Sequence, residues 1–559
     1  MKKILLSLFV AVWGMTFATS CIQEIDPQTS TVTADQAGNA PGAYDNFVSA
    51  ITSTLVGQFT YGGNSNVYPY DFGYPSFFLQ RDVMGQDMPL SYSGSWYSTW
   101  YGCGVGLGPS YAICQVPWTY YYKWIKNCNT VLSLAGTEPD ADKQTGVGIA
   151  YAMRAMFYMD LARMYAPKTY ALDKNAETVP IVTETTAVGD LTHNARATNE
   201  EMWTFILSDL DKAEQYLSGY NRSDVYTPDS TVVYGLKARA YLTMEDWPNA
   251  QKYAKMAQNG YTVMTQDQYT NRQTGFNTPN LSWMFGVTYS ATDPNITMND
   301  GDSSWGSQMC LEVNPDASGC GYASNYGDPK VIDRHLYETI PTSDFRRNCF
   351  VDFALDDLSE DDCITALGAY SDYPDWVYRT GYDANYGAVG GLSLKFRLAG
   401  GQAGHDNQHI GFIVAVPLMR VEEMYLIEAE AAGMQNEANG IALLTKFAQT
   451  RDAAYVYGTH SADAYGNTTT GAFRNEVWWQ RRVELWGEGF ATFDIKRLNK
   501  GIIRSYENTN HIESFRWNTT TPPDWMSLCI IQTETNYNYD CTNNPVPVKP
   551  TTDSPEYPW

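Results

Sequence analysis

Cations are scarce in this sequence: its 37 Lys and Arg stand against 62 Asp and Glu, a formal charge of -25 at pH 7. A surplus of that sign repels phosphate backbones and argues against nucleic acid as a partner. It argues equally against electrostatic docking on an anionic bilayer. Histidine is scarcer still, with 6 residues in the whole chain, which leaves imidazole-based metal chemistry little to work with. The 10 cysteines form no CxxC pair and lie near no histidine cluster, so no zinc site is expected. A Gly-rich phosphate loop, a nucleophile elbow and a zinc motif are all missing, and no cofactor is expected. Beyond the first 20 residues no stretch is long and apolar enough to span a bilayer.

Aromatic residues are abundant: 41 Tyr, 21 Phe and 16 Trp. The surplus of Tyr over Phe suggests many half-exposed rings whose hydroxyls face water or a ligand. With 559 residues the chain is too long for one simple core, and two or more sub-domains sharing an interface are expected. Its organising stretch is Gly148 to Ala166, which has no polar face at a 3.6-residue period. Only Arg154, Asp160 and Arg163 are charged there, and they point in different directions. A helix apolar nearly all round must be wrapped by other elements. Pro167 ends it, because proline cannot continue the hydrogen-bond ladder.

Residues 1–20 read as an export signal, with Lys2 and Lys3 ahead of an apolar run from Ile4 to Trp13. Ala18-Thr19-Ser20-Cys21 then resembles a bacterial lipobox, in which the Cys21 thiol takes a diacylglycerol; an ordinary signal-peptidase cut would fall at the same bond. Residues 21–43 form a polar tether. Nine cysteines remain after Cys21, an odd number that leaves at least one thiol unpaired even where disulfides are permitted.

The rest divides into a helical region at 44–264, an irregular region at 265–415 and a second helical region with a tail at 416–559. Helices are expected over Asn46–Gly57, Gln115–Leu134 and the central stretch. Thr198 and Glu201 form a capping box that opens the next helix. Thr227-Pro228 reads as the start of another, with proline in its first turn. Tyr234, Ala238 and Tyr241, followed by Ala250, Ala254 and Ala257, fall where tetratricopeptide repeats alternate bulky and small residues. Between 265 and 415 helical periodicity is lost, short strands are expected at Ser282–Thr288 and Ile410–Val416, and binding loops are expected on a helical base. Helices return at Arg420–Ala432, Asn436–Thr450 and Ala472–Trp486. The fold class is therefore mainly α: tetratricopeptide-like helix pairs supporting an irregular, loop-rich half with few short strands.

Several of these pieces recur in a fixed order. They are the lipobox-like Cys21, AYAMRAMFYMDLARMYA, Val179-Pro180-Ile181-Val182, FILSDLDKAEQYL, GLKARAYLTMEDWPNAQKYAKMA, RVEEMYLIEAEAA and RRVELWGEGFATFDIKRLNKG. In that order, across nearly the whole mature chain, the sequence resembles the RagB/SusD family of outer-membrane nutrient-binding lipoproteins. Gln480 departs from the Glu of many members, and Ala491 from their Arg. The resemblance implies four tetratricopeptide-like pairs and a SusC-like TonB-dependent transporter as partner. It also implies a surface-exposed lipid anchor in the outer membrane and a ligand that is mostly oligosaccharide, or peptide in some members.

Arg481, Glu484 and Glu488, followed by Asp494 and Arg497, and the pair Glu423 and Glu430, place carboxylates on helices beside arginines. Paired carboxylates could serve a surface glycoside hydrolase; a structural ion-pair network is the expected reading, with no catalytic residues. The run from Asp356 to Asp362 reads as a solvated loop. Binding is better supported. Sugar C–H faces pack on aromatic rings while hydroxyls need polar partners. Arg81, Asp82, Asp87, Trp96, Trp100 and Tyr101 supply both types, and Trp305, Tyr322 and Tyr326 could complete the platform.

Overall fold

Four helices lead up to the central one: α1 (Ala43–Ser53), α2 (Ser76–Val83), the short α3 (Ser98–Gly102) and the long α4 (Ala112–Ala135), which packs on α5 (Gln144–Tyr165). They are drawn from a computed structural model that describes residues 42–58, 68–103, 106–314, 321–382, 385–461, 470–552 and 554–559. The signal segment, Cys21 and nearly all of the tether lie outside those residues. Helix α5 is buried on nearly every side, as its apolar circumference requires, and it ends at Ala166, whose extended backbone precedes Pro167. Each of its three charges has found partners, which offsets the cost of burying it. Arg154 donates to Asp209 at 2.7 and 2.9 Å, and Arg163 pairs with Asp160. Helix α4 starts at Ala112, earlier than Gln115, because the Tyr111 carbonyl accepts the N–H groups of both Cys114 and Gln115 at 3.1 Å.

Helix α6 (Asn199–Tyr216) packs on the other side of α5 and opens with the expected capping box between Thr198 and Glu201. Helix α7 (Ser230–Met244) begins later than Thr227-Pro228 suggested. The Asp229 side chain caps it by accepting from Thr231 and Val232, and Pro228 stays outside. Helix α8 (Trp247–Ala257) packs against α7.

The irregular stretch contributes β1 (Trp283–Thr288), the one-turn α9 (Trp305–Met309) and α10 (Pro374–Tyr382). Asp356 to Asp362 is partly ordered here: Phe353–Asp357 forms a 3-10 turn, and Ser359 caps a helix over Glu360–Leu367. The second strand, β2 (Ala415–Arg420), lies about one turn later than expected because Gln408–Gly411 is helical. It pairs antiparallel with β1, Val287 facing Val416. Helices α11 (Val421–Gln435), α12 (Glu437–Ala448), α13 (Ala472–Glu484) and α14 (Ala491–Arg497) follow. Helix α11 packs on α8, α12 and α13. Glycine is required where α11 meets α12, since a Cβ on Gly440 would lie 2.3 Å from the Gly433 Cα.

The carboxylates singled out above are buried and paired. Arg481 and Arg497 both bind Asp494 at 2.7 Å, Arg497 also binds Glu430 at 2.6 Å, and Arg239 binds Glu423 at 2.7 Å. Glu484 receives Arg451 at 3.0 Å, Arg420 at 3.1 Å and Arg346 at 3.3 Å. Burial alone would raise its pKa, but these guanidiniums outweigh it and hold the carboxyl well below the ordinary range. Gln480 takes part by accepting from Arg346 at 2.9 Å. The eight cysteines among the described residues are buried free thiols, with Cys114 and Cys529 in side-chain contact.

Candidate functional site

Two exposed aromatic residues, Trp96 and Tyr326, converge where two loops meet. In the first loop, Pro69 occupies the second position of a turn closed by the Asp71 N–H on the Tyr68 carbonyl at 2.8 Å. The turn lays the rings of Tyr68 and Tyr70 parallel, 5.3 Å apart. It is fixed from below by Ser303, which donates to the Tyr68 carbonyl at 3.0 Å. A second turn runs Ser95-Trp96-Tyr97-Ser98, closed at 3.0 Å. It throws Trp96 outward, leaving its indole 42% exposed. The ring meets the edges of Tyr68 and Tyr70 at 6.0 and 6.2 Å.

The other loop belongs to the irregular half and hangs on α9. Ser307 accepts the Tyr322 N–H through its hydroxyl at 3.0 Å and the Ala323 N–H through its carbonyl at 2.8 Å. The Asp302 carboxylate accepts the Gly321 N–H at 3.0 Å. Gly321 has φ +97°, and a Cβ there would meet the Ser324 hydroxyl at 2.7 Å, so the tight turn needs glycine. The turn sets Tyr322 and Tyr326 5.0 Å apart, with Tyr326 42% exposed.

Three contacts zip the loops together: a bridge between Leu90 and Lys330, the Ser91 hydroxyl on the Pro329 carbonyl at 2.9 Å, and the Ser95 hydroxyl on Asp328 at 2.6 Å. Across this seam the Trp96 indole N–H faces the Tyr322 hydroxyl, and the Tyr326 hydroxyl faces the Asp302 carboxyl. Burial, then the nearby Asp302, pushes the Tyr322 hydroxyl up to about 12. Burial likewise pushes the Asp302 carboxyl up, with Asp300 adding to the effect. The result is a continuous face of Tyr68, Trp96, Tyr322 and Tyr326, backed by the buried Tyr70 and Asp302. Flat π faces beside hydrogen-bonding groups suit a ligand with alternating C–H faces and hydroxyls.

Of the residues named from sequence, Trp96, Tyr322 and Tyr326 come together here. The others do not. Trp100 is only 1% exposed and packs 5.1 Å behind Tyr70, because α3 turns it inward. Tyr101 is fully buried, its hydroxyl against His511 and its ring 4.1 Å below the Arg504 guanidinium. Trp305 faces the core at the start of α9, edge-on to Phe78 at 6.0 Å and Phe396 at 5.1 Å. Arg81 is spent on Asp160 at 3.3 Å and on the ring of Phe493. Asp82 accepts the N–H groups of Gly489 and Ala491 at 3.0 and 3.1 Å, and burial pushes it up to about 7. Asp87 is held by Arg482 at 2.6 Å. These five and Asp87 are core residues, correcting the expectation of a platform built around Trp100. Tyr68 and Tyr70 were missed, although two tyrosines astride a proline in a Gly- and Asn-rich stretch are a legible signal; Asp302 carried none.

The fold of this chain is matched by known proteins. The model described as "SusD family" matches residues 250–551, and that described as "Starch-binding associating with outer membrane" matches 109–242. The chain belongs to the SusD family. A curated SusD-like protein of Formosa agariphila is 22% identical over 430 residues, 71% of this chain and 74% of its own. Among solved structures, a SusD-like carbohydrate binding protein of Bacteroides vulgatus aligns over 92% of this chain and 98% of its own, with a TM-score of 0.67 at 20% identity. Surface glycan-binding protein A of Bacteroides thetaiotaomicron aligns over 90% and 98%, with a TM-score of 0.61 at 16% identity. At such identities these structures establish the SusD fold, and the ligand face rests on the residues described above.

Proposed function

We propose that this SusD-family chain is a non-catalytic, surface-exposed lipoprotein that binds a glycan through the Trp96 face and delivers it to a SusC-like TonB-dependent transporter, with Cys21 as its lipid anchor in the outer membrane. The observation that carries the binding role is the exposed Trp96, set beside Tyr322 and Tyr68, with Tyr326 5.0 Å from Tyr322. Two of its structural neighbours are described as a carbohydrate binding protein and a surface glycan-binding protein, which supports the same reading. A non-catalytic role agrees with the state of the helical carboxylates: Glu430, Glu484, Glu488 and Asp494 are each locked in buried ion pairs.

Replacing Trp96 by alanine tests this. The affinity for the retained glycan should fall by about 2 kcal/mol, the usual size for a central aromatic anchor. The melting temperature should change little, because Trp96 is 42% exposed and lies outside the core. Affinity electrophoresis with thermal denaturation reads both quantities; unchanged affinity in a folded Trp96→Ala protein removes the site from this face.

A further inference from the structure

The two loops that build the Trp96 face are unusual in their charge. From residue 42 to residue 122 the chain carries 4 acids, Asp45, Asp71, Asp82 and Asp87, and 1 base, Arg81. From 273 to 329 it carries 6 acids and no Lys or Arg at all.

The cations that do approach are already engaged. Arg81 is buried against Asp160. Lys330, at the foot of the second loop, is buried with its ammonium on the Asp328 carboxylate at 3.1 Å and the Asp328 carbonyl at 2.7 Å. Helix α10 lies alongside, its Thr380 donating to the Ser324 carbonyl. Its Arg379 stacks 4.5 Å over the ring of Trp376. The acids lie closer to the face: Asp302 is bonded to Tyr326, and the exposed Asp300 is two residues away in the chain.

A sulfate or uronate held on such a face would lose part of its hydration and gain no free guanidinium or ammonium from the two loops that build it. It would instead meet the negative charge of Asp300 and Asp302 behind Tyr326. We infer that the Trp96 face selects uncharged glycans and rejects sulfated and uronate-containing ones. The inference rests on the reading of that face as the glycan site, and it names the ligand's charge class. Discrimination here comes from repulsion and missing partners, a form of specificity that needs no additional contact with the favoured ligand.

The test compares one polymer with and without charge. The purified mature chain is run in affinity gels against neutral polysaccharides (xylan, mannan, mixed-linkage glucan, starch) and polyanionic ones (alginate, polygalacturonate, chondroitin sulfate). The retained neutral polymer is then lightly carboxymethylated and both forms are titrated by calorimetry. The expected result is retention of a neutral polymer, lost in Trp96→Ala, with affinity changing less than about twofold between low and high salt. Carboxymethylation should weaken binding at least about tenfold at low salt, and high salt should recover part of the loss as the screening length shrinks. Binding of the carboxymethylated form as tight as the parent, or Trp96-dependent retention of a polyanion that weakens with salt, overturns the charge inference while leaving the glycan site in place. Retention of no polymer of either kind overturns the glycan reading itself, and the inference falls with it.

Discussion

The helical scaffold and the irregular half solve the same problem, the pairing of buried backbone groups, in opposite ways. Helices α4 to α8 and α11 to α13 satisfy their own peptide groups, so their buried charged side chains pair with one another: Arg154 with Asp209 and Arg239 with Glu423. Between β1 and β2 there is little regular ladder, and side chains must serve the backbone directly. Asp302 accepts from Gly321, Asp356 from Val389 and Gly390, and the Asn277 amide donates to the Leu398 carbonyl at 2.7 Å. Polar side chains spent in this way fix loop conformations closely enough to hold aromatic rings at the surface. Trp96 and Trp100 show the contrast within four residues: a turn sends one outward, and a single helical turn sends the other into the core.

The largest expected effect lies in the scaffold. Glu484→Gln leaves three guanidiniums around an uncharged group, and removing one partner of a buried ion cluster costs about 3–5 kcal/mol. Chemical denaturation should show that loss, with glycan affinity of the folded fraction unchanged; a loss under about 1 kcal/mol would mean the cluster contributes far less than its burial implies.

Next in size is Trp100→Ala. A buried tryptophan truncation costs about 3 kcal/mol or more of folding stability, and binding should fall only as Tyr70 loses its support. If instead affinity collapses while the melting temperature holds, Trp100 belongs to the face and the division drawn here between the two tryptophans is wrong.

The smallest effect is in pH dependence, and its sign separates the regions. His460 stacks on Trp479 at 3.5 Å, and burial, then Arg346 and Arg482, lowers its pKa from 6.5 to about 3. A depressed folded pKa stabilises above the unfolded value and loses that stability as pH falls. The difference between parent and His460→Gln should therefore shrink by about 1–2 kcal/mol from about pH 7.5 to about pH 5. Asp302 runs the other way: its raised carboxyl favours the fold at low pH and loses that contribution as pH rises. A parent-minus-variant difference that stays flat over this range would show that His460 is solvated enough to titrate normally.

Much of the scaffold was legible from local pattern. An apolar circumference, a capping box and a proline mark helices because they act through neighbours one turn away. The N-terminal ends of α4 and α7 lie away from the expected places because the Tyr111 carbonyl takes the first N–H groups of α4, and Asp229, not Pro228, opens α7. The site was much less legible. Composition suggested exposed tyrosines and the Trp96 region, yet it could not separate Trp96 from Trp100, or Tyr322 from Trp305.

What the sequence determined by itself was the fold class, the family resemblance and the shortage of cations across the loops, all properties that survive without coordinates. Which rings face solvent was decided only in the tertiary structure. Ser95 must find Asp328 more than 200 residues away, Ser303 must find the Tyr68 carbonyl, and Asp302 must hold the Gly321 turn before Trp96 meets Tyr322. Each of those bonds joins groups whose separation along the chain leaves no periodic trace, so the face exists only once the loops have closed on one another.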